Sequence, residues 1–271
     1  MPRLSTLRAP ALAGVVRERT CAAAAAEIRS CLYDGADMID LHISCLEDAT
    51  PDALRRVIGI SPLPVLALHY NRTCEWADAG ASEEERTEAL LRAVEAGAAG
   101  IDMQGYTFHA PSRDAFCGED QYSFTKPAPR EVVTDAAVIE RQCALIERVH
   151  GMGAEVLISC HPGVAMSCEQ VVDLALFLVR RGPDIIKIVT VGKDEDDLTE
   201  GFRTMAALKR EVRTPVSFHV GGRACALSRI VNPMLGGQIL FCVDRYGPNS
   251  TLEQPELRTA RAVVDGIRKM L

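Results

Sequence analysis

The chain has 271 residues, of which 48% are hydrophobic and 25% charged, and these values are ordinary for a globular protein. A net charge of −7 at pH 7 argues against nucleic-acid binding, which needs a basic surface to collect phosphates. No uninterrupted apolar stretch approaches the roughly 20 residues of a membrane span, so we expect no membrane partner.

Eight short runs rich in Ile, Val and Leu recur along the chain, and each is followed by a segment of helical periodicity. Near-continuous apolar character is typical of parallel strands that are covered on both faces. The predicted strands are 11–16, 37–43, 64–70, 99–104, 154–160, 184–190, 215–220 and 238–243.

The segments between the strands carry helix signals. "SEEERTEALLRAVEAG" has Ser82 as its predicted N-cap, an acidic first turn and Gly97 as its stop, and "TDAAVIERQCALIERVHGMG" has Thr134 as its predicted N-cap. Eight strand–helix units in about 250 residues predict an α/β fold, a (β/α)₈ TIM barrel, as a single domain over 1–271. The alternative is a doubly wound sheet, but no glycine-rich dinucleotide loop follows the first strand.

One loop is much longer than a barrel needs. Residues 105–133, "GYTFHAPSRDAFCGEDQYSFTKPAPREVV", follow strand four and exceed an ordinary barrel loop by about 20 residues. The segment leaves the carboxyl end of a strand, where barrel enzymes keep their active sites. It is predicted to be an inserted loop, and a lid, a surface excursion and a subunit contact all remain open.

The ten cysteines are scattered and contain no C-x-x-C pair. In a chain of this size the pattern predicts reduced core residues and gives no support to a zinc knuckle. We therefore expect a cytoplasmic protein.

Polar residues gather in the last half of the predicted strands, the end of a barrel at which pockets form. Four of the six histidines in the chain fall at such positions. The residues that we expect to converge are Asp40, His42, His69, Gln104, His161, Lys187, His219, Asp244 and Arg245.

Lys187 lies in the middle of the apolar strand "DIIKIVT". Strand alternation puts Ile185, Lys187 and Val189 on one face. A lysine that faces the barrel interior cannot easily reach water, so its pKa should fall and its amine should become nucleophilic, as a Schiff-base lysine requires. The alternative is a lysine at a strand edge that reaches solvent.

His161 comes directly after the preceding strand, so its ring is expected beside Lys187. Schiff-base chemistry needs a group that moves protons as the imine forms and takes one from the activated substrate. A histidine near its ordinary pKa suits both tasks.

These residues carry a resemblance that spans nearly the whole chain in order. "GADMIDLHI" resembles "GADxVExR", "LISCHPG" stands where the family has "SxHDF", "PDIIKIV" is similar to "ADIxKIA", and "FHVGGRACALSRIVNPMLGGQILF" aligns with "MSMGxxGxxSRxxxxxFGSxxTF". The family is the type I 3-dehydroquinate dehydratases, class I Schiff-base lyases with the (β/α)₈ fold. The resemblance implies that Lys187 forms the imine, that His161 shuttles protons and that Arg229 pairs with the substrate carboxylate.

The residues that would bind the rest of the substrate differ from those of the family pattern. The family's second-strand Glu-x-Arg is Asp40-Leu41-His42 here, its third-strand arginine falls on Tyr70, and its strand-four glutamate is Gln104. In the closing loop "YGPNSTLEQ", Thr251 lies near the place of the family's glutamine. The substrate-binding residues that we predict are Arg229, Asp40, His42, His69, Gln104, His219 and Thr251.

The resemblance implies a hydro-lyase of the shikimate pathway that removes water from a cyclic polyhydroxylated keto acid, 3-dehydroquinate or a close relative. It implies no metal and no organic cofactor. The predicted partner is a small-molecule carboxylate substrate, and the resemblance is compatible with a homodimer.

Three alternatives stay open at this point. A metal-dependent barrel isomerase or hydrolase would take ligands from the strand ends, although no H-x-H or H-E-x-x-H motif supports it. A class I aldolase acting on a sugar phosphate would use "HVGGR" after strand seven as half of a phosphate site. The third alternative is a non-catalytic barrel that binds a carboxylate ligand or a protein. The metal ligands would be Asp40, His42, His69, His161 and His219.

Overall fold

The computed structural model describes residues 3–70, 81–109, 132–247 and 250–270. In these residues, eight parallel strands alternate with eight α-helices, and each predicted strand lies within two residues of an observed one, which confirms the (β/α)₈ barrel. The strands are β1 Ala11–Val16, β2 Met38–His42, β3 Val65–Leu68, β4 Gly100–Gln104, β5 Glu155–Cys160, β6 Ile185–Val191, β7 Val216–Gly221 and β8 Ile239–Val243. The helices are α1 Cys21–Tyr33, α2 Pro51–Ile58, α3 Glu83–Glu95, α4 Ala136–Gly151, α5 Cys168–Val179, α6 Glu195–Glu211, α7 Ser228–Met234 and α8 Leu257–Met270.

The strand order is β7-β6-β5-β4-β3-β2-β1-β8, and the two end strands, β7 and β8, meet to complete the barrel. Between β7 and β8, the backbone N–H of Gln238 donates to the Val216 carbonyl at 2.9 Å and that of Ile239 donates to Ser217 Oγ at 3.0 Å. A serine hydroxyl thus takes the place of a backbone acceptor at this seam.

Apolar side chains fill the barrel interior from its amino-terminal end. Leu4, in a 3₁₀ turn before β1, is 1% exposed and packs with Leu157, Ile185 and Phe241 inside the sheet. Arg3 fixes this segment, because its Nε donates to Glu155 Oε1 at 2.7 Å. With the amino-terminal end closed, the polar residues of the interior are left at the carboxyl end.

Helix starts follow the capping rules. Ser82 caps α3, and a reciprocal bond from the Ser82 backbone to the Glu85 side chain completes a capping box. The cap of α4 is Asp135, whose carboxylate accepts from Ala137 N and Val138 N, so the prediction of Thr134 is wrong by one residue. An aspartate carboxylate can accept two of the helix's free N–H groups at once.

Most of the predicted inserted loop 105–133 lies outside the described residues, since the structure describes 105–109 and 132–133 of it. Its described start is anchored, because Gln142 Nε2 donates to the carbonyl oxygens of Gly105 at 3.0 Å and Thr107 at 2.9 Å. The lid stays a prediction.

Seven of the described cysteines carry free thiols, but Cys45 is disulfide-bonded. The expectation that every cysteine is reduced is therefore wrong for Cys45, because the sequence spacing of cysteines does not reveal which ones the fold brings together. Among the described helices, none combines the length and the apolar character needed to cross a bilayer.

Candidate active site

Lys187 points into the barrel, as strand alternation predicts. Its side chain is 11% exposed, and Ile185 on the same face belongs to the interior apolar cluster. The ammonium Nζ lies 3.2 Å from Tyr70 Oη, 4.0 Å from Asp102 Oδ2 and 4.5 Å from the centre of the Phe241 ring. The edge-strand alternative is wrong.

Tyr70, Asp102 and Ser159 form a buried polar network around this lysine. Tyr70 Oη donates to Asp102 Oδ2 at 2.8 Å, and Ser159 Oγ donates to Asp102 Oδ1 at 2.6 Å. Ser159 is the β5 residue that pairs with Lys187 in register. Burial raises the pKa of the Asp102 carboxyl, and the Lys187 charge opposes that rise. Burial and the Asp102 charge both raise the pKa of Tyr70 well above its usual value, so the phenol stays protonated.

A pocket opens at the carboxyl end of the barrel above Lys187. Five of the predicted site residues line it, together with apolar residues and Gln254, which the sequence analysis did not single out. The lining residues are Asp40, His42, Leu68, Tyr70, His161, Lys187, Val189, Arg229, Phe241 and Gln254.

His161 lines the same pocket as Lys187 and is 2% exposed. Its ring meets the Tyr70 ring edge-on, with 5.8 Å between the centroids. The position directly after β5 therefore does what the sequence predicted: it brings an imidazole into the pocket of the lysine.

Asp40 and His42 project from β2 into the pocket. Burial raises the pKa of Asp40 to about 6, against the opposing charges of Lys187 and Arg17. The His42 ring lies 3.7 Å from the Asp40 carboxylate, and burial, with the charges of Arg17 and Lys187, holds the pKa of His42 well below its usual value. His42 is therefore a neutral imidazole.

His219 is buried on β7 with 1% exposure. Among the described residues, neither of its ring nitrogens has a hydrogen-bond partner. Burial, followed by the charges of Arg229 and Lys187, holds its pKa well below the usual value. An unsatisfied buried imidazole is costly, so a ligand hydroxyl that reached it would relieve that cost.

Arg229, the predicted carboxylate anchor, comes from α7 and meets an acid that the sequence analysis missed. Its Nε donates to Glu253 Oε2 at 3.0 Å, and its Nη2 donates to the same oxygen. Glu253 Oε1 accepts from the backbone N–H of Gly222 at 3.0 Å. Glu253 lies in a predicted loop, where a glutamate is expected to be exposed to solvent. Its neighbours in the sequence therefore do not predict that it is buried beside Arg229.

Arg17 is a second cation that the sequence analysis missed, although it directly follows β1 and the strand-end rule would have found it. Its Nη2 donates to Thr251 Oγ1 at 2.9 Å and to Gln254 Oε1 at 3.2 Å. Burial lowers the pKa of Arg17 to about 10, with the Asp40 charge opposing. Thr251 thus contacts Arg17, and Gln254 is the loop residue that lines the pocket.

The remaining predicted residues lie beside the pocket. Arg86 of α3 donates from Nη2 to the Gln104 side-chain oxygen and from Nε to the His69 carbonyl at 2.9 Å. Gln104 is buried, whereas His69 is half-buried. Asp244 is buried and Arg245 exposed, and neither lines the pocket.

Neither enzyme alternative gains support from the described geometry. In the described part of the chain, no group of three or more His, Cys, Asp or Glu residues is arranged to hold a metal ion. The Gly222 N–H, which the aldolase alternative would offer to a phosphate, is bound by the Glu253 carboxylate.

Comparisons with known proteins agree with this geometry. The family described as "Type I 3-dehydroquinase" matches residues 130–269. The chain is 23% identical over 208 residues to the 3-dehydroquinate dehydratase of Methanoregula boonei, covering 77% of this chain and 79% of that protein. A shorter match, 39% identical over 64 residues, is to 4-hydroxy-3-methylbut-2-en-1-yl diphosphate synthase (flavodoxin) of Hyphomonas neptunium, covering 22% of this chain and only 16% of that protein's length.

Among solved structures, the chain is similar to the type I 3-dehydroquinate dehydratase of Clostridium difficile, with a TM-score of 0.74 and 14% identity over 97% of this chain and 94% of that one. At that identity the likeness shows the fold. The family match takes in more than half of the 271 residues, and Lys187, His161 and Arg229 all lie within it. The chain belongs to the type I 3-dehydroquinase family.

Proposed function

We propose that this protein is a hydro-lyase that removes water from 3-dehydroquinate, or a close relative, through a Schiff base on Lys187. The observation that carries the proposal is the position of Lys187 inside the barrel, in the same pocket as His161. Family membership supplies the reaction class, and the pocket supplies the nucleophile and the base.

The reaction begins when the neutral amine of Lys187 attacks the substrate ketone. Loss of water from the carbinolamine gives an iminium, which withdraws electrons and acidifies the neighbouring carbon. His161 removes a proton from that carbon and returns it to the β-hydroxyl, which leaves as water. Hydrolysis of the remaining imine releases the product and frees Lys187.

Substrate groups have separate partners around the lysine. Arg229 meets the carboxylate with the N–H donors that Glu253 does not engage, and Gln254 lies in the same pocket. Asp40, His42 and His219 contact the hydroxyls. The other predicted substrate residues act indirectly. Gln104 and His69 accept hydrogen bonds from Arg86, and Thr251 accepts one from Arg17.

The substrate is a small carboxylate, and the steps above use no cofactor. On the family resemblance alone, we also propose that the enzyme is cytoplasmic and forms a homodimer. Its net charge of −7 argues against a nucleic-acid partner.

Borohydride trapping tests the lysine. The protein is incubated with 3-dehydroquinate and sodium borohydride, and peptide mass mapping should find a reduced adduct on Lys187. Lys187→Met should abolish the adduct, whereas Lys209→Met, on the exposed face of α6, should leave it unchanged. A folded wild-type protein that forms no adduct with 3-dehydroquinate or other cyclic keto acids would contradict the proposal.

A further inference from the structure

We propose that Tyr70 is a further catalytic residue, whose hydroxyl relays a proton between the Lys187 amine and the Asp102 carboxylate. The relay rests on the proposed function, because it prepares Lys187 for attack on a ketone. Its geometry is nevertheless independent of the identity of the substrate.

The hydroxyl of Tyr70 lies between the two charged groups. It is 3.2 Å from Lys187 Nζ and 2.8 Å from Asp102 Oδ2, whereas Nζ and Oδ2 are 4.0 Å apart. A proton cannot pass directly over 4.0 Å, but each of the two shorter gaps is a hydrogen bond. Ser159 Oγ donates to the other carboxylate oxygen at 2.6 Å, and it also lies 3.0 Å from Tyr70 Oη, so the shorter contact of Tyr70 is the one to Asp102 Oδ2.

The transfer balances without any further reactant. One N–H bond of the Lys187 ammonium breaks as an O–H bond to Tyr70 forms, and the original Tyr70 O–H bond breaks as an O–H bond to Asp102 forms. The products are a neutral amine and a neutral carboxylic acid. After carbinolamine formation, the Tyr70 O–H bond breaks as its proton bonds to the departing hydroxyl, which leaves as water. The Asp102 O–H bond breaks at the same time and its proton restores the Tyr70 hydroxyl.

Burial favours the neutral products of this transfer. Asp102 is 1% exposed and Tyr70 is 5% exposed, so the ammonium and the carboxylate face each other largely without water. Transfer replaces two buried charges by two neutral groups, which lowers their desolvation cost. The raised pKa of the Asp102 carboxyl acts in the same sense.

Other described groups that face this network set its electrostatic background. Asp40 favours the ammonium, and the same carboxylate also interacts with the Arg17 charge. His42 and His219 are neutral imidazoles and add no charge. The titratable and charged groups around the relay are Arg17 after β1, Asp40 and His42 on β2, His161 after β5, His219 on β7 and Arg229 on α7.

Tyr70 stands where the family pattern has an arginine. A guanidinium stays protonated in proteins and cannot pass a proton in both directions, whereas a phenol can donate and accept at the same oxygen. The substitution therefore adds a proton path at the cost of a cation.

Reductive methylation of Lys187 by formaldehyde and cyanoborohydride tests the relay without the natural substrate, since only the neutral amine reacts. In Tyr70→Phe, peptide mass mapping should show methylation of Lys187 at about pH 7 slowed by about 10²-fold relative to wild type. The ratio to wild type should approach 1 at about pH 10, where solvent hydroxide takes the proton instead. Asp102→Asn should show the same pH-dependent loss.

Tyr33→Phe removes a phenolic hydroxyl from an 85% exposed tyrosine and should methylate like wild type. A Tyr70→Phe deficit of equal size at every pH would mean a structural role and would overturn the relay, as would a wild-type rate in either Tyr70→Phe or Asp102→Asn. The two proposals can fail separately. If Tyr70→Phe shows the pH-dependent loss with formaldehyde but wild type forms no adduct with 3-dehydroquinate, the relay stands and the proposed function is contradicted.

Discussion

Asp40 shows how burial sets a protonation state in this pocket. Its folded-state pKa of about 6 lies above the value near 4 of an unfolded aspartate. The folded protein therefore holds this proton more tightly than the unfolded chain does. The resulting stabilisation is complete below about pH 4 and is lost as the pH rises through about 6.

Asp40→Asn removes this titration. Between about pH 3.5 and about pH 7, wild type should lose up to about 3 kcal/mol of stability as Asp40 ionises, whereas the variant should not. The free energy of unfolding of the variant minus that of wild type should therefore rise by that amount. Urea denaturation of both proteins across that range measures the difference. A difference that stays constant with pH would contradict the raised pKa.

The Arg229–Glu253 pair places opposite charges at 7% and 1% side-chain exposure. Glu253→Gln leaves the guanidinium buried without its counter-charge, so unfolding should cost about 3 kcal/mol less than in wild type. Glu84→Gln breaks a pair with Arg141 in which both side chains are at least half exposed, and it should cost less than about 1 kcal/mol. Urea denaturation compares the two, and equal losses would contradict the burial argument.

At the scale of elements, the end of β7 controls the position of this pair. Gly222 has φ of 106°, and a side chain there would place its Cβ 2.3 Å from the Gly192 carbonyl oxygen. The same residue donates its N–H to Glu253. The turn after β7 thus needs glycine both for its backbone angle and for the close approach of the chain after β6.

Gly222→Ala should therefore destabilise the protein more than Gly153→Ala does. Gly153 also has positive φ, 82°, but no atom of the described residues lies within 4 Å of the point that a Cβ would occupy there, so only the backbone cost of about 1–2 kcal/mol applies. Thermal denaturation ranks the two variants. Gly222→Ala should also raise KM for the substrate, because Glu253 would lose its backbone partner, and an unchanged KM would contradict that role.

The sequence allowed each strand to be located, because every strand combines an apolar run with flanking turn residues. Lys187 and His161 were predictable on the same basis, since their place in the pocket follows from local position along β6 and β5. Side-chain contacts between residues far apart in the sequence were not predictable. Arg17 and Thr251 are separated by 234 positions, and Arg229 and Glu253 by 24. Such pairs depend on how elements meet, which no local pattern encodes.

At the scale of the whole molecule, barrel closure depends on the seam between β7 and β8. Ser217→Ala removes the oxygen that accepts from the Ile239 N–H and leaves that buried group without its acceptor. The free energy of unfolding should fall by about 1–3 kcal/mol, and amide exchange at Ile239 should become faster. Ser30→Ala, within α1, should be neutral or slightly stabilising because alanine favours helix. An unchanged exchange rate at Ile239 would contradict the role of Ser217.

The closed amino-terminal end has a consequence for turnover. Leu4 fills that end of the barrel, and Arg3 ties its segment to Glu155, so the interior opens toward solvent at the carboxyl end, where the pocket lies. We therefore expect substrate to enter and product to leave at this end. Product in the pocket would occupy the form of the enzyme that the next substrate needs. Initial rates with added product should therefore show competitive inhibition, with a raised apparent KM and an unchanged kcat.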